Sequence, residues 1–221
     1  MCSSDLDISA PQGLLVGGVA ADYTDTQNGI AHALPWALGW VLISVLVLLF
    51  AFTGSVILPI KAVVLNILSL SATLGVITWI FIEGNFARLL GDFTITGTVD
   101  TGMIILMLLT TFGLSMDYEV FLLSRIKEEY ERRGNNTDSV AYGLQKSARI
   151  VTAAALILSV VFAAFVISGV TSIKILGLGV AFAILLDATI VRALLVPALM
   201  RLFGDANWWA PKALKRFSIS H

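Results

Sequence analysis

Five stretches of this chain, residues 35–58, 62–82, 102–124, 149–168 and 174–203, are predominantly apolar and each at least 20 residues long. At 1.5 Å of rise per residue, a helix of that length reaches across the roughly 30 Å of hydrocarbon in a bilayer. A helix also satisfies its own backbone hydrogen bonds there, which an open strand or loop does not. Only 13% of the 221 residues are charged and the mean hydropathy is +0.91, whereas soluble domains carry about 25% charged residues. The expected fold is an all-α membrane protein, a five-span transmembrane helix bundle.

Short connections join the spans. Pro59-Ile60-Lys61 reads as a tight turn, residues 83–101 as a short loop, 125–148 as a longer charged segment, and Gly169 to Ile173 as another tight turn. Cys2 is the single cysteine, so neither a disulfide nor a cysteine-rich metal site is available. His32 and His221 lie far apart in or beside polar stretches and read as surface histidines. No metal, cofactor or nucleic-acid partner is expected.

Charge sets the predicted orientation. Lys61, Arg125, Lys127, Arg132, Arg133, Lys146, Arg149, Arg201, Lys212, Lys215 and Arg216 fall on one side, against Arg88 and Lys174 on the other. Eleven against two places the 125–148 segment and the C-terminus in the cytoplasm and the N-terminus outside. Trp36, Trp40 and Trp79 then mark the outer interface, and Trp208 and Trp209 the inner one.

That orientation requires residues 1–34, with four aspartates and no Lys or Arg, to lie outside without a secretory signal before them. The chain therefore reads as the tail end of a larger protein. Met1-Cys2-Ser3-Ser4-Asp5-Leu6 matches the translation of a common sequencing adapter, so residues 1–6 are taken as a non-native leader. The same six residues in intact genomic DNA would refute this. Residues 7–34 read as the end of an extracytoplasmic domain, its last strand falling within 8–34. Residues 35–203 form the transmembrane domain and 204–221 the cytoplasmic tail. Within 125–148, a helix leaving the third span is expected to stop at Gly134, a suitable left-handed cap, and Thr137 to cap a second helix. This would be an amphipathic hairpin lying on the inner membrane face.

Polar residues inside the spans are the candidate functional groups. Asp117 lies about 20 Å into the third span from its outer end, on the cytoplasmic side of centre. Thr110, Gly113, Asp117, Phe121 and Ser124 recur at spacings of three or four and share a helix face. Such a face needs other helices or a water-filled path, because lipid does not satisfy it. Tyr118 adds a hydroxyl able to serve a carboxylate. The pair can carry protons, the alternative being that Asp117 stays neutral and bonds a neighbouring helix. Asp187 is the second acid. Arg192, five residues on and about 500° round an α-helix, is not stacked on it but could meet it through flexible reach, and an ion pair or inter-helix hydrogen bond is the favoured reading for Asp187 ahead of a transport role. Asn66, Ser69 and Thr73 form a polar face on the second span, and Gly177 and Ala181 are spaced for close helix approach; both read as packing devices.

The stretch Gly113-Leu114-Ser115-Met116-Asp117-Tyr118-Glu119-Val120-Phe121-Leu122-Leu123-Ser124-Arg125 resembles the hallmark of the MMPL family of transporters in the RND superfamily. Further segments are similar in the same order: residues 58–66, 152–157, 185–192 with 195–200, and the tail Asn207-Trp208-Trp209-Ala210-Pro211. The resemblance implies the last five of twelve spans, half of an RND-type transporter, preceded by the end of its second extracytoplasmic domain. It implies export of lipids or other hydrophobic compounds driven by proton entry, in a bacterial plasma membrane. Asp117 and Tyr118 match the second-half element of the family's proton relay, with Thr110, Ser124, Asp187 and Arg192 as candidate relay or lining groups. The implied partners are the bilayer, protons, a lipid or hydrophobic substrate, the absent N-terminal half and further copies of the chain. Two alternatives stand beside this. One is a non-transporting or split-transporter subunit. The other is an intramembrane aspartyl protease using Asp117 and Asp187, against which stands the nearby Arg192.

Overall fold

The computed structural model describes residues 18–83 and 101–211. The expected leader, the loop between the second and third spans, and the basic residues of the far tail lie outside these. The chain divides into two compact units, residues 1–41 and 42–221. In the first, the described residues are the opening of helix α1 (Val19–Thr53). The second holds the rest of α1 with α2 (Ile57–Phe81), α3 (Thr101–Arg133) and α4 (Asn136–Ala164). It continues with α5 (Thr171–Leu186), a π-helical stretch Asp187–Leu195, α6 (Val196–Phe203) and a short 3-10 turn Gly204–Trp208. Five of the helical runs are long and apolar enough to cross a membrane, and no strand occurs among the described residues.

Several boundaries differ from the sequence reading. The strand expected within 8–34 is a helix from Val19 onward, and residues 8–17 lie outside the described set. Asp22 sits in the first turn, where it meets the positive helix end, and Ala31 and Ala33 are strong helix formers. The helix runs on through Pro35, where the first span was expected to begin. The turn expected at Pro59-Ile60-Lys61 is found at Gly54–Val56 instead. Gly54 takes φ +67 and its N–H bonds Phe50 O at 2.7 Å, a left-handed helix stop. Pro59 then falls in the first turn of α2, where its missing N–H leaves no bond unmade.

The 125–148 segment is helical almost throughout, so it is an extension of two spans. Gly134 (φ +66) ends α3 as expected. The cap of α4 is Asn135, not Thr137: its Oδ1 accepts from Thr137 N at 2.9 Å and Asp138 N at 3.4 Å. Asn and Thr are both good caps, and the sharp left-handed turn at Gly134 favours the residue just after it.

This hairpin is packed by its own ion pairs and by the segment after the last span. Glu129 is buried and holds Lys146 at 2.5 Å, Arg133 at 2.9 Å and Arg132 at 3.5 Å. Trp208, expected in the inner aromatic belt, stacks on Tyr130 at 4.2 Å and donates from Nε1 to Asn136 Oδ1 at 3.0 Å. Fully buried Asn207 accepts from Lys61 through Oδ1 and from the Ser55 hydroxyl through its backbone oxygen. The first part of the predicted tail thus closes the hairpin end of the bundle. Trp36 and Trp40 are largely exposed, as a lipid-facing belt requires.

Small residues set the helix spacing. A Cβ on Gly177 would come within 2.6 Å of Phe162 O and Phe165 Cβ, the close approach expected there. A Cβ on Gly143 would meet Ile126 Cα at 2.9 Å and Ile126 N at 3.0 Å, backbone that has no room to withdraw. Gly143→Ala is expected to cost about 1–3 kcal/mol through overpacking between α3 and α4. Gly113, with nothing within 4 Å, should accept alanine without loss. Thermal unfolding of the two variants in detergent checks the contrast; equal melting temperatures would show the α3–α4 contact to be looser than described.

Candidate functional site

The π-helical stretch creates the central feature. Pro197 lacks the N–H that an α-helix would offer to Ala193, and its ring crowds that carbonyl. Just before it, Val196 N–H bonds Val191 O, five residues back. An i→i+5 turn widens the helix, so the fifth residue comes round nearer to the first than it does at α-helical pitch. Arg192 therefore stacks on Asp187, and Arg192 Nη2 donates to Asp187 Oδ2 at 2.5 Å. The sequence reading, made at α-helical pitch, expected the two not to be stacked. The π geometry corrects the stacking, while the ion pair favoured for Asp187 is formed.

The pair is buried, Asp187 5% and Arg192 2% exposed. Arg192 Nη2 also donates to Ser115 O of α3 at 2.7 Å, and its guanidinium carbon lies 5.0 Å from the centre of the Tyr118 ring. Two buried polar atoms, Asp187 Oδ1 and Arg192 Nε, have no hydrogen-bond partner. The pair borders two spaces. One, about 10 Å³, lies among Thr111, Ser115, Tyr118, Asp187 and Arg192 and matches the size of one water. The other, about 120 Å³, lies on the α4 side among Leu122, Ser147, Thr152, Ala188 and Arg192. The buried charges therefore border space large enough for water.

Asp117 has a different setting. It is exposed, and so are Gly102, Leu106, Leu109 and Gly113, which continue the same stripe of α3. No helix of the described residues covers that stripe. The opposite stripe, with Met107, Thr111, Ser115, Leu122 and Ile126, is buried and carries the contact to Arg192. Asp117 thus lies on the stripe of α3 away from the Asp187–Arg192 pair, and Asp187 has its charge matched by Arg192. Tyr118 points its ring at Arg192, and no hydrogen bond joins it to Asp117 among the described residues. Of the candidate lining groups, Ser124 donates to its own Phe121 O at 2.9 Å, and Thr110 is half-buried. Asn66, Ser69 and Thr73 on α2 are all buried, facing neighbouring helices as expected. Thr73 donates to Ser69 O, while the Asn66 carboxamide is unbonded.

Glu119 is the residue that the sequence reading passed over. It is 4% exposed, one turn from Ser115, and borders a small cavity with Lys61, Leu65 and Val196. The signal was present: an acid four residues from Ser115 falls on the buried stripe, whereas Asp117 falls on the exposed one.

Five apolar spans, the last of them carrying a buried acid–base pair, define a polytopic helical membrane protein, multi-pass and of bacterial type. The chain belongs to the MMPL family, which it matches over residues 7–218. It is 46% identical over 212 residues, 96% of its length, to a membrane protein of Streptomyces coelicolor. It is 44% identical over 211 residues to the trehalose monomycolate exporter MmpL3 of Mycobacterium tuberculosis, covering 95% of this chain and 22% of the exporter. It is also 41% identical over 199 residues to the heme uptake protein MmpL11 of the same species, covering 90% of this chain and 20% of that one. The chain spans between 20% and 30% of the length of these curated relatives.

Proposed function

We propose that this chain is the C-terminal transmembrane part of a proton-motive-force-driven exporter of lipids or other hydrophobic compounds, with Asp117 and Tyr118 as its intramembrane proton relay. The observation that carries the reading is Asp117 itself, an acid deep in a span on a face that no described helix covers. A bare carboxylate in lipid costs several kcal/mol. The face therefore suits contact with a further transmembrane unit or with water, and the N-terminal half of the same transporter is the unit of matching chemistry. The hairpin end, with Arg125, Lys127, Arg132, Arg133 and Lys146, faces the cytoplasm by its charge. Tyr118, next to Asp117 in the chain, lies against Arg192 and so gives protonation at Asp117 a route to the buried pair. A change of charge at an interface between halves biases two helix arrangements, which is how proton entry would drive transport.

The relatives' roles differ, trehalose monomycolate export in one and heme uptake in another. The 44% identity to the exporter favours lipids as the substrate class. On this reading the chain does not transport alone, and a first half supplied by a separate chain would serve the uncovered face equally well. Export by the complete transporter should stop when a protonophore collapses the proton gradient, with the nucleotide pool left intact. Export that continues without the gradient overturns the proposal.

A further inference from the structure

Among the described residues, the charged hairpin end of α3 and α4 is held by salt bridges of two kinds. Arg125 meets Glu128 at 3.0 Å and Lys127 meets Glu131 at 3.6 Å, one cation to one acid. Around Glu129 the ratio is three to one, with Lys146, Arg133 and Arg132 converging on it. The acid lies beneath and the cations stand outward: its side chain is 2% exposed and theirs are 39% or more. Glu129 balances one of the three charges, and the other two remain at the surface. An ammonium carries three donors and a guanidinium five, so each cation keeps donors free after serving Glu129.

This surplus stands at the head of a stripe on α4. The Arg133 guanidinium lies over the Tyr142 ring at 3.7 Å, which fixes the cluster on that helix. Tyr142, Lys146 and Arg149 follow one another at spacings of four and three, and all are exposed. Arg149 has no salt bridge among the described residues and adds a further unmatched charge. Asp138 lies on the same stripe, but eight residues before Lys146, about 12 Å along the helix. Beyond Arg149 the stripe turns apolar: Ala153, Leu156, Ile157 and Val160 continue it at helical spacing and are exposed. Val151 and Ala155, on the opposite side of α4, are buried. The fourth span is read as starting at Arg149, so the change from basic to apolar falls where the hydrocarbon begins.

We infer that this stripe binds an anionic phospholipid of the inner leaflet, its phosphate held by Arg133, Lys146 and Arg149 and its acyl chains laid along Leu156, Ile157 and Val160. A phosphate diester supplies the negative charge that the cluster lacks and accepts charge-assisted hydrogen bonds from the free donors. It also offsets the repulsion among three cations gathered on a single acid. Basic groups at the cytoplasmic end of a span are where anionic headgroups collect, and the charge count places this end in the cytoplasm. The apolar continuation decides between a lipid and a free phosphate, because a soluble anion leaves that part of the stripe unused. The site lies on the α4 face away from the buried Asp187–Arg192 pair and is independent of the proton relay.

The test reconstitutes the full chain in phosphatidylcholine nanodiscs and follows lipids spin-labelled on an acyl chain, whose immobilised fraction reports binding. Labelled phosphatidylglycerol should be held in preference to labelled phosphatidylcholine with the same chains. Arg149→Gln should cut that preference about fivefold, the scale of one basic group at an anionic surface. Its melting temperature should hold, since Arg149 has no ion pair to lose. Lys146→Gln should cut the preference by a similar factor. Arg125→Gln removes the same unit of charge from the hairpin end, at a position that Glu128 already matches, and should leave the preference unchanged. Excess glycerophosphoglycerol, the headgroup without its acyl chains, should not displace the lipid. Equal retention of the two lipids by the wild type overturns the inference. Equal losses in Arg125→Gln and Arg149→Gln overturn it as well, by showing a general attraction to the basic end. Displacement by the headgroup alone overturns it in favour of a free phosphate ester.

Discussion

Arg192→Met is expected to destabilise the protein by about 3–5 kcal/mol, the usual cost of leaving one partner of a buried ion pair uncompensated. The physical reasons are local. Asp187, 5% exposed, would lose its hydrogen bond and charge partner, and Ser115 O would lose its donor from Arg192. Asp187→Leu should cost a similar amount by stranding the guanidinium. The double variant Asp187→Leu, Arg192→Met should recover most of the loss, because well-packed apolar groups of similar size replace buried ion pairs at little or no cost. Such non-additivity is the mark of a direct pair. Unfolding in mild detergent with increasing denaturant measures it. Single variants as stable as the wild type would mean that the pair is not buried together, and the π-helical register would then be in question. Stability and transport part company in the double variant, which should fold and yet lack the buried charges beside Tyr118.

The spans were legible in the sequence because length and hydropathy alone decide whether a helix crosses a bilayer. Their ends were less so. Pro59 drew the turn toward itself, yet proline is welcome in a helix's first turn, and the true stop was Gly54 with its positive φ. Asn135 and Thr137 were equally good caps on propensity, and only the fold of the Gly134 turn separates them. The helix from Val19 to the start of the first span was missed because a few apolar and glycine residues at its edge suggested a strand. At the site, the polar character of α3 was readable, but which acid faced inward was not weighed. Asp117 drew notice as the anomaly, while Glu119, two residues on, occupies the buried stripe. An ion pair for Asp187 was the favoured reading and is formed with Arg192, but their stacking was out of reach of a spacing argument that assumes 3.6 residues per turn, since the chain departs from it there.

Asp117→Asn should have the reverse profile to Arg192→Met: normal stability and no transport. Asp117 is exposed on the uncovered stripe of α3, so asparagine of the same shape disturbs no packing within the chain. Its effect on stability should stay within about 0.5 kcal/mol. What it removes is the proton. A carboxyl in the span can be neutral or charged, and the difference is several kcal/mol at that depth, enough to bias one helix arrangement over another. An amide is neutral in both, so the cycle loses its drive. A loss of about a hundredfold or more in transport rate is expected, the usual scale when a positioned proton-exchanging group is deleted. Proton flux in vesicles carrying the complete transporter, under an imposed pH gradient, measures this most directly. The account predicts background flux for a correctly folded Asp117→Asn transporter, and wild-type flux from that variant would contradict it.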